Sequence, residues 1–473
     1  MRARRNGSLV TAVGALSGAV GLLAGVGTAG AAVNANSATV TVNSNVQLAR
    51  LSSVPWGINT RAQDVDLQDS VLPKLLRDAG IRTLRYPGGS LADAYHWENN
   101  SISAGAGYST FPGADFTALM NLAKTAHAMP IITVNYGSNA SGTGGGTPQE
   151  AAAWVKYANV TKKDGIRYWE IGNENYGNWE INLHKNKTPA AYANNALAFI
   201  KAMKAVDPTI QVGLPITITP PGQQSANAAW NDTVLKIAGP KANFVIVHWY
   251  PFNTPGTNQQ TLDSTSWIAP ALDAVKKQIQ QDCGKNASHI KIMVTETNSA
   301  ANGINSQSTS IVNAMFLADT FTTFLEQGAT NIDWWDLYND GSPQAGDYGV
   351  LQDTTDQPYP TFYALEMLNL FAKPYNELVQ TTSSAKSVRV HAVKRSNGSV
   401  AVLLLNENPK RTENVTVKIP GMGPAATVAK TYTYDAVKPF KIVGATAGVK
   451  ADTVTQALPP YSITVITLPP ASH

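Results

Sequence analysis

The feature that most constrains this chain is a regular alternation of short β-rich runs with longer helical patterns across residues 54–371. The β-rich runs are Val54–Asn59, Thr83–Tyr86, Ile131–Val134, Tyr168–Gly172, Gln211–Leu214, Phe244–His248, Lys291–Glu296 and Asn331–Trp335. Apolar residues recur at helical spacing in Ser70–Ala79, Pro148–Asn159, Pro189–Val206, Ile268–Asp282, Ile311–Gln327 and Pro360–Phe371. Eight strand–helix units of this length predict an α/β fold, the (β/α)8 TIM barrel. The alternative is a doubly wound open sheet, but that fold favours a glycine-rich nucleotide turn after the first strand, and Asn59-Thr60-Arg61 is not one.

The pattern of the sequence changes after Lys373-Pro374. Short alternating β-branched runs are separated there by Asn-Gly, Pro and Gly turns, the pattern of an antiparallel β-sandwich. These runs are Val388–Lys394, Val400–Asn406, Val415–Ile419, Lys430–Tyr434 and Ser462–Leu468. Ala38–Leu48 has the same texture, so we expect the segment 32–53 to add a strand to this second domain. The predicted domains are the barrel over 54–373 and the sandwich over 374–473.

Residues 1–31 have the pattern of an export signal. A head with three arginines precedes an apolar run over residues 9–26, and Ala29-Gly30-Ala31 provides a small-x-small cleavage pattern. A membrane anchor is the alternative, since the run is long enough to span a bilayer, but glycine and serine dilute it. We therefore expect a secreted, extracellular protein that has no membrane partner once the signal is removed.

Charge and cysteine content exclude several classes of protein. Removing residues 1–31 takes away three arginines and no acid, so the formal net charge falls from +4 to +1. No Lys/Arg run is interleaved with aromatics, so nucleic acid is not an expected partner. The single cysteine, Cys283, excludes an internal disulfide and a cysteine-rich zinc site, and the seven histidines show no His-Glu-x-x-His spacing. We expect neither a metal nor a cofactor.

Two glutamates follow strands of the predicted barrel at their carboxyl ends, where such barrels carry reactive groups. Glu174 ends Gly172-Asn173-Glu174 after the fourth strand, and Glu296 ends the seventh. Glycoside hydrolysis needs one protonated and one ionised carboxyl on either side of the scissile bond, about 5–5.5 Å apart for retention and about 6.5–9.5 Å for inversion. Either glutamate alone has a structural alternative as a helix cap or a salt-bridge partner. Glu170, inside its strand, we assign to the polar interior of the barrel.

Three motifs resemble the α-L-arabinofuranosidases of glycoside hydrolase family 51: Leu84–Ser90, Tyr95–Glu98 and Gly172–Trp179. The resemblance extends in order and spacing over about residues 54–371, and the β-rich C-terminal region also fits. It implies a retaining mechanism with Glu174 as acid/base and Glu296 as nucleophile, without a cofactor.

The same resemblance implies that Asn173 binds a sugar hydroxyl and that Arg85 and Tyr250 lie near the reacting sugar. Further substrate-binding candidates stand in or just after strand ends, where amides and a histidine can hydrogen-bond and indoles can stack on a sugar ring. They are Asn59, Asn135, His248, Trp97, Trp179 and Trp335. Packing or hydrogen bonding within the fold is the alternative for each.

Two positions depart from the family pattern. The loop after the first strand, Trp56–Thr60, has no glutamate, and Thr297-Asn298-Ser299 follows Glu296 where the family has a Trp-Asn pair. The sugar therefore stays open between arabinofuranosides and the β-xylosides, β-glucuronides or β-glucans of related families. A non-catalytic carbohydrate-binding protein on the same scaffold and a transglycosylase are further alternatives. A carbohydrate is the expected partner in each case.

Overall fold

Strand β1 (Asn36–Arg50) begins the part of the chain that the computed structural model describes. The described residues are 36–65, 67–222, 228–420, 428–438, 441–450 and 452–470. The predicted export signal therefore lies outside the described residues. Within them, no helix combines the length and the apolar character needed to cross a bilayer.

The eight predicted barrel strands form a closed parallel sheet in which spatial order follows chain order. They are β2 (Trp56–Asn59), β3 (Thr83–Tyr86), β6 (Met129–Val134), β7 (Tyr168–Ile171), β8 (Gln211–Pro215), β9 (Phe244–Trp249), β10 (Lys291–Thr297) and β11 (Asn331–Trp334). A hairpin of β4 (Tyr95–His96) and β5 (Ser101–Ile102) follows β3. Because β11 pairs with β2, the sheet has no open edge. The predicted (β/α)8 barrel is confirmed.

Helices follow the barrel strands and cover the outside of the sheet. They are α1 (Leu72–Asp78), α2 (Phe116–Ala126), α3 (Pro148–Val155), α4 (Pro189–Val206), α5 (Ala228–Ile237), α6 (Asn258–Asp263), α7 (Ile268–Asp282), α8 (Ile311–Glu326) and α9 (Pro360–Phe371). A π-helical turn, Lys156–Thr161, continues α3. Local chemistry starts α3 and α4 in the same way: Thr147 and Thr188 each accept a backbone N–H bond from the first turn, and a proline follows at the first helical position.

The interior of the barrel is apolar at one end and polar towards the site. The apolar layer consists of Val54, Ile131, Tyr168, Phe244, Ile246 and Met293. In the polar layer, Asp333 accepts hydrogen bonds from Thr83 and Asn331. Burial raises the pKa of Asp333 to about 7, although the bonds from Thr83 and Asn331 oppose that rise. The site is thus built on a fully packed polar layer.

Nine strands form a second closed sheet, which includes β1. The others are β12 (Glu377–Ser383), β13 (Val388–Lys394), β14 (Val400–Asn406), β15 (Glu413–Lys418), β16 (Val428–Asp435), β17 (Val443–Lys450), β18 (Thr453–Leu458) and β19 (Ser462–Leu468). Neighbours pair in the order β1-β12-β13-β14-β19-β16-β17-β18-β15.

The predicted sandwich of two separate sheets is not confirmed, because hydrogen bonding runs through all nine of these strands. Strand β1 makes the difference: it pairs antiparallel with β12 and parallel with β15, and so joins what would otherwise be two open edges. Alternating apolar residues bury one face of a strand in either architecture, so the sequence pattern does not distinguish them.

The second sheet packs on the barrel through α8 and α9. Every residue of β14 is buried, because one face lies in the core of its own sheet and the other contributes to the core shared with the barrel. The rings of Tyr363 and Tyr434 stack across this boundary with centroids 5.1 Å apart. Beside them, His391 lies 2.8 Å from Asp319 and 2.9 Å from Glu326, two carboxylates of α8.

Candidate active site

The carboxyl ends of the barrel strands and the loops after them enclose a cavity of about 500 Å³. Both predicted catalytic glutamates line it, together with Asn173, Trp179, Tyr250 and Trp335 from the predicted substrate-binding set. Sequence reasoning missed the remaining lining residues, which are Gly89, Ser90, Asn253, Ala301, Asn302 and Tyr348. Gly89 and Ser90 end the Leu84–Ser90 motif and begin a 3₁₀ turn, and the other four stand in loops that carry no periodic signal.

Glu296 is held from two sides at the end of β10. Tyr250 donates its hydroxyl to Oε1 at 2.7 Å, and Arg85 Nη1 donates to Oε2 at 3.0 Å. The strand register shifts between Val294 and Glu296 relative to β9, a bulge that redirects the side chain at the strand end. A positive charge and a hydroxyl donor thus fix the two oxygens of Glu296 separately.

Glu174 accepts three hydrogen bonds. Tyr176 Oη and His248 Nδ1 lie 2.9 and 2.8 Å from Oε1, and Trp179 Nε1 lies 2.8 Å from Oε2. Burial raises the pKa of Glu174, but the hydrogen bond and charge of His248 and the donors of Trp179 and Tyr176 outweigh it, so the pKa lies below its usual value. The backbone at Glu174 is left-handed, with φ +36°, a conformation that non-glycine residues rarely adopt.

His248 stands between the two glutamates. Its Nδ1 lies 2.8 Å from Glu174 and 3.7 Å from Glu296 Oε2. An oxygen of each glutamate and a ring nitrogen of His248 lie within 4.8 Å of one another. The two carboxyls therefore meet across one small space and do not face separate cavities.

Arg85 organises the floor of the site from inside the barrel. Its guanidinium is fully buried and contacts four side chains, which are Glu170 at 2.8 Å, Asn59 at 2.9 Å, Glu296 at 3.0 Å and Asn173 at 2.7 Å. Glu170 also accepts from Thr133. The planar fork of arginine suits a hub with several fixed acceptors. Arg85 thus positions Glu296 and Asn173 while itself lying below the cavity.

A second buried layer supports the loop that carries Glu174. Asp93 accepts from the backbone N–H of Asn173 and from the side chain of Asn175, and Glu180 accepts from Ser90 and from Asn173 Nδ2. Burial raises the pKa of Asp93 to about 7 against these hydrogen bonds. Burial and the negative charges of Asp93 and Glu174 raise the pKa of Glu180 well above its usual range. Neither carboxylate stands in a strand-end motif, so neither could be predicted from the sequence.

Five predicted substrate-binding residues do not line the cavity. Arg85 and His248 contact the glutamates that do, and the other three are used elsewhere in the fold. Asn59 is fully buried and donates to the carbonyls of Thr295 and Trp334. Asn135 ties its own loop to the backbone of Tyr95. Trp97 stacks on Trp154 with centroids 5.8 Å apart and lines a separate cavity of about 370 Å³. The side chains of Asn59, Asn135 and Trp97 thus make their contacts within the fold. A residue's position along a strand does not distinguish this role from sugar binding.

Aromatic side chains form two walls of the cavity. Trp335 lies against Gly89, where an added Cβ would come within 2.6 Å of its ring. Trp179 is 59% exposed, and its indole lies over Gly177, whose Cβ would come within 2.2 Å of it. Flat apolar faces beside polar groups are the surfaces on which sugar rings pack.

Among the described residues, one group has the donors to hold a metal ion: Glu174, His248 and Glu296. The oxygens of both glutamates already accept hydrogen bonds, and Arg85 places a positive charge on Glu296. The arrangement therefore provides two carboxyls and a histidine for proton transfer and nucleophilic attack, with a cation opposing metal entry.

Comparisons with known proteins bear on this site. No protein-family model matches the chain. Probable alpha-L-arabinofuranosidase C of Aspergillus clavatus is 30% identical over 188 residues, covering 34% of this chain and 33% of that protein. The chain thus spans about a third of the length of the curated relatives it matches.

Solved structures match over nearly the whole chain. The family 51 α-L-arabinofuranosidase of Thermotoga petrophila has a TM-score of 0.74 at 19% identity, covering 91% of this chain and 100% of that structure. A family 44 xyloglucanase of Paenibacillus polymyxa has a TM-score of 0.69 at 15% identity, covering 92% and 100%. Because these sequence identities are low, the structural similarity shows that the folds are alike and nothing more.

A pair of glutamates at the mouth of the barrel is the arrangement that (β/α)8 glycoside hydrolases use. Within that class, the chain is similar to the family 51 α-L-arabinofuranosidases in both sequence and fold, which confirms the resemblance indicated by its motifs.

Proposed function

We propose that this protein is a retaining glycoside hydrolase that releases α-L-arabinofuranosyl groups from plant cell-wall polysaccharide or its fragments. The observation that carries the proposal is the convergence of Glu174 and Glu296 on one cavity, with an oxygen of each within 4.8 Å of the other. That spacing agrees with the short carboxyl separation of retaining enzymes and leaves little room for the water of an inverting mechanism.

Glu296 is the nucleophile in this proposal. Arg85 and Tyr250 each donate to one of its carboxylate oxygens and hold it at the edge of the cavity. Attack by one carboxylate oxygen on the anomeric carbon forms a glycosyl ester as the bond from that carbon to the leaving oxygen breaks.

Glu174 is the acid/base. In the first step its proton passes to the leaving oxygen, and in the second step it takes a proton from the water that attacks the glycosyl ester. His248, between the two carboxyls, orients Glu174 through its Nδ1. Asn173, fixed by Arg85 and Glu180, is placed to bond a hydroxyl of the bound sugar.

The lining of the cavity favours a neutral sugar. Its described residues include no lysine or arginine, and the buried Arg85 below it is already paired with two carboxylates. A glucuronide would bring a third carboxylate towards Glu174 and Glu296 without a cation to balance it. Among the remaining sugars, arabinofuranosides are supported because the similar curated proteins are α-L-arabinofuranosidases.

The test is a panel of 4-nitrophenyl arabinofuranosides, xylosides, glucosides and glucuronides with purified protein. We expect the α-L-arabinofuranoside to be cleaved best and Glu296→Gln to abolish turnover. Glu377→Gln, a partly exposed glutamate of the second sheet, is the matched control. Early NMR spectra should show a product of the same anomeric configuration as the substrate.

Other results would select the alternatives. Binding of oligosaccharide without cleavage of any glycoside would indicate a non-catalytic carbohydrate-binding protein. Predominant transfer to an added sugar acceptor would indicate a transglycosylase, which uses the same two glutamates. Full activity of Glu296→Gln would contradict the proposed mechanism.

We also propose that the enzyme acts outside the cell, because residues 1–31 have an export-signal pattern. Expression of the full chain in a secreting host, followed by N-terminal sequencing of the medium fraction, tests this. We expect the mature chain to begin after Ala31.

A further inference from the structure

Both oxygens of Glu174 accept hydrogen bonds, although a general acid must carry a proton on one of them. Oε1 accepts from Tyr176 and His248, and Oε2 accepts from Trp179. Each carboxyl oxygen has two in-plane lone pairs, so the two donors fill Oε1 whereas the single donor on Oε2 leaves one lone pair for a proton. Oε2 is therefore the oxygen that can carry the proton, and the bond from Trp179 restricts the direction in which that oxygen points its O–H.

The partners of Oε1 are held in place. His248 lies within β9, with its side chain 2% exposed and its Nε2 3.4 Å from Thr295 Oγ1. The ring of Tyr176 packs edge-on against Trp230 at 6.2 Å. Moving either side chain would disturb the buried wall of the barrel, so Oε1 is the oxygen that stays fixed.

The partner of Oε2 is the exposed one. Trp179 is 59% exposed, and its indole packs on the backbone of Gly177 and edge-on against Tyr176 at 6.2 Å. Exposed side chains change rotamer in nanoseconds or less. Because Trp179 lines the same cavity as both glutamates, a saccharide entering beside Glu174 meets the indole first.

We propose that Trp179 is a positioning residue that couples binding of the leaving-group saccharide to proton delivery by Glu174. In the empty enzyme the indole N–H holds Oε2. The incoming saccharide displaces the indole, which then packs on the sugar ring, and Oε2 becomes the oxygen that donates the proton. The inference rests on the proposed function, since it assigns the atom through which the acid/base acts.

The step balances without a further reactant. The proton leaves Glu174 Oε2 for the leaving oxygen as the bond from that oxygen to the anomeric carbon breaks. The electron pair of that bond goes to the leaving oxygen, and a lone pair of Glu296 forms the new bond to the anomeric carbon. Trp179 gains and loses only a hydrogen bond.

Several ionisable groups face Glu174 and set the background for a pH test. They are His248, Tyr176, Tyr250, Glu180 and Glu296. Trp179→Phe keeps an aromatic ring and changes none of these charges. It removes one donor that favours the ionised carboxylate, so it raises the pKa of Glu174 in the empty enzyme.

The first experiment is the pH dependence of kcat/KM on the best aryl glycoside, which reports ionisations of the free enzyme. We expect the alkaline limb of Trp179→Phe to lie at higher pH than that of the wild type. Trp267→Phe, a partly buried tryptophan packed on Phe252, is the control and should keep the wild-type limb. A uniform loss of activity with an unmoved limb would show a merely structural role and overturn the inference.

The second experiment does not require turnover. In ¹⁵N-tryptophan-labelled Glu296→Gln protein, the indole N–H signal missing from the Trp179→Phe double variant identifies Trp179. We expect titration with α-1,5-linked arabinotriose to move that signal towards the position of a solvent-exposed indole. A signal unmoved up to the solubility limit of the saccharide would overturn the inference.

The two experiments separate this inference from the proposed function. Failure to cleave any glycoside removes the proposed function, while the indole signal still reports whether saccharide displaces Trp179. If cleavage is normal but neither the pH limb nor the indole signal moves, the proposed hydrolase function stands and the proposed role of Trp179 is wrong.

Discussion

Arg85 Nη1 lies 3.0 Å from Glu296 Oε2 at a point where the guanidinium also holds three other side chains. A lysine cannot reproduce this geometry, since its ammonium has no planar fork. We expect Arg85→Lys to lower kcat by roughly 10²-fold or more. It should also cost roughly 3–5 kcal/mol of stability, the usual effect of breaking a buried ion pair. Arg395→Lys, whose side chain donates to the carbonyls of Leu370 and Phe371, is the control for a stability effect without loss of activity per folded molecule.

The hydroxyl of Tyr250 donates to Glu296 Oε1 at 2.7 Å. Tyr250→Phe keeps the ring and removes a hydrogen bond to a charged group, worth roughly 1.5–3 kcal/mol. We expect kcat/KM to fall about 10- to 100-fold in steady-state assays. Tyr348→Phe is the matched variant, since Tyr348 lines the same cavity but donates to the carbonyl of Ala301. Equal effects of the two variants would argue against a specific role for Tyr250.

Gly89 and Gly105 separate a packing effect from a backbone effect. Both have positive φ, +51° and +80°, but a Cβ on Gly89 would meet the ring of Trp335 whereas one on Gly105 would meet nothing within 4 Å. Since Trp335 forms a wall of the cavity, we expect Gly89→Ala to raise KM roughly 3- to 10-fold through weakened stacking. Gly105→Ala carries a similar backbone cost and should leave KM unchanged. A rise in KM for both variants would contradict this account.

His391 makes the stability of the chain depend on pH. Burial lowers its pKa, but the charge of Glu326 and the hydrogen bonds to Asp319 and Glu326 raise it to about 10, above the 6.5 of an unperturbed histidine. The folded state therefore binds a proton more tightly than the unfolded state. This contribution is complete below about pH 6.5 and is lost as pH rises towards 10.

Replacing His391 should lower the free energy of unfolding over the same pH range. We expect His391→Gln to lose roughly 3–5 kcal/mol at pH 6, because the buried Asp319 and the partly buried Glu326 lose their shared cation. The difference from the wild type should narrow as pH rises towards 10, as measured by urea denaturation. His289→Gln, at an exposed position, should show little change at either pH. A loss that is constant with pH would mean that His391 is not charged in the folded protein.

Chelators should not impair activity. Glu174, His248 and Glu296 have the donors for a divalent ion, yet Arg85 and Tyr250 already bind both oxygens of Glu296. We expect kcat/KM to survive dialysis against EDTA and added Zn²⁺ to inhibit by competing for His248. Loss of activity on dialysis that only a metal restores would show that these residues form a metal centre.

Strand positions and the glutamate pair could be read from sequence because both depend on local order. A barrel strand is an apolar run that precedes a helix, and the residues that follow such a strand lie near the barrel mouth. The helical stretches named from the sequence do not include α2, α5 and α6; the last has only six residues, too few for a helical period to be recognised. The closed second sheet escaped because β1 meets β12 and β15 only through tertiary pairing.

The supporting residues of the site were harder to predict than its reactive ones. Asp93 and Glu180 act through hydrogen bonds to a loop, and no spacing along the chain marks such contacts. Asn59 shows the converse: it stands at a strand end, yet its amide is used by backbone carbonyls inside the barrel. Side-chain direction at the last residue of a strand depends on neighbouring strands, which one sequence does not display.

The placement of β1 has a consequence for biosynthesis. Val40 pairs with Ser383 on one side and with Val417 on the other, so this segment emerges from the ribosome long before either neighbour exists. Until then, β1 exposes an unpaired strand edge and valines that are buried in the folded protein. The unfinished chain is therefore prone to aggregate, and we expect chaperones to bind it. A chain truncated after α9 would leave that edge permanently unpaired, so the barrel is not expected to be produced in soluble form alone.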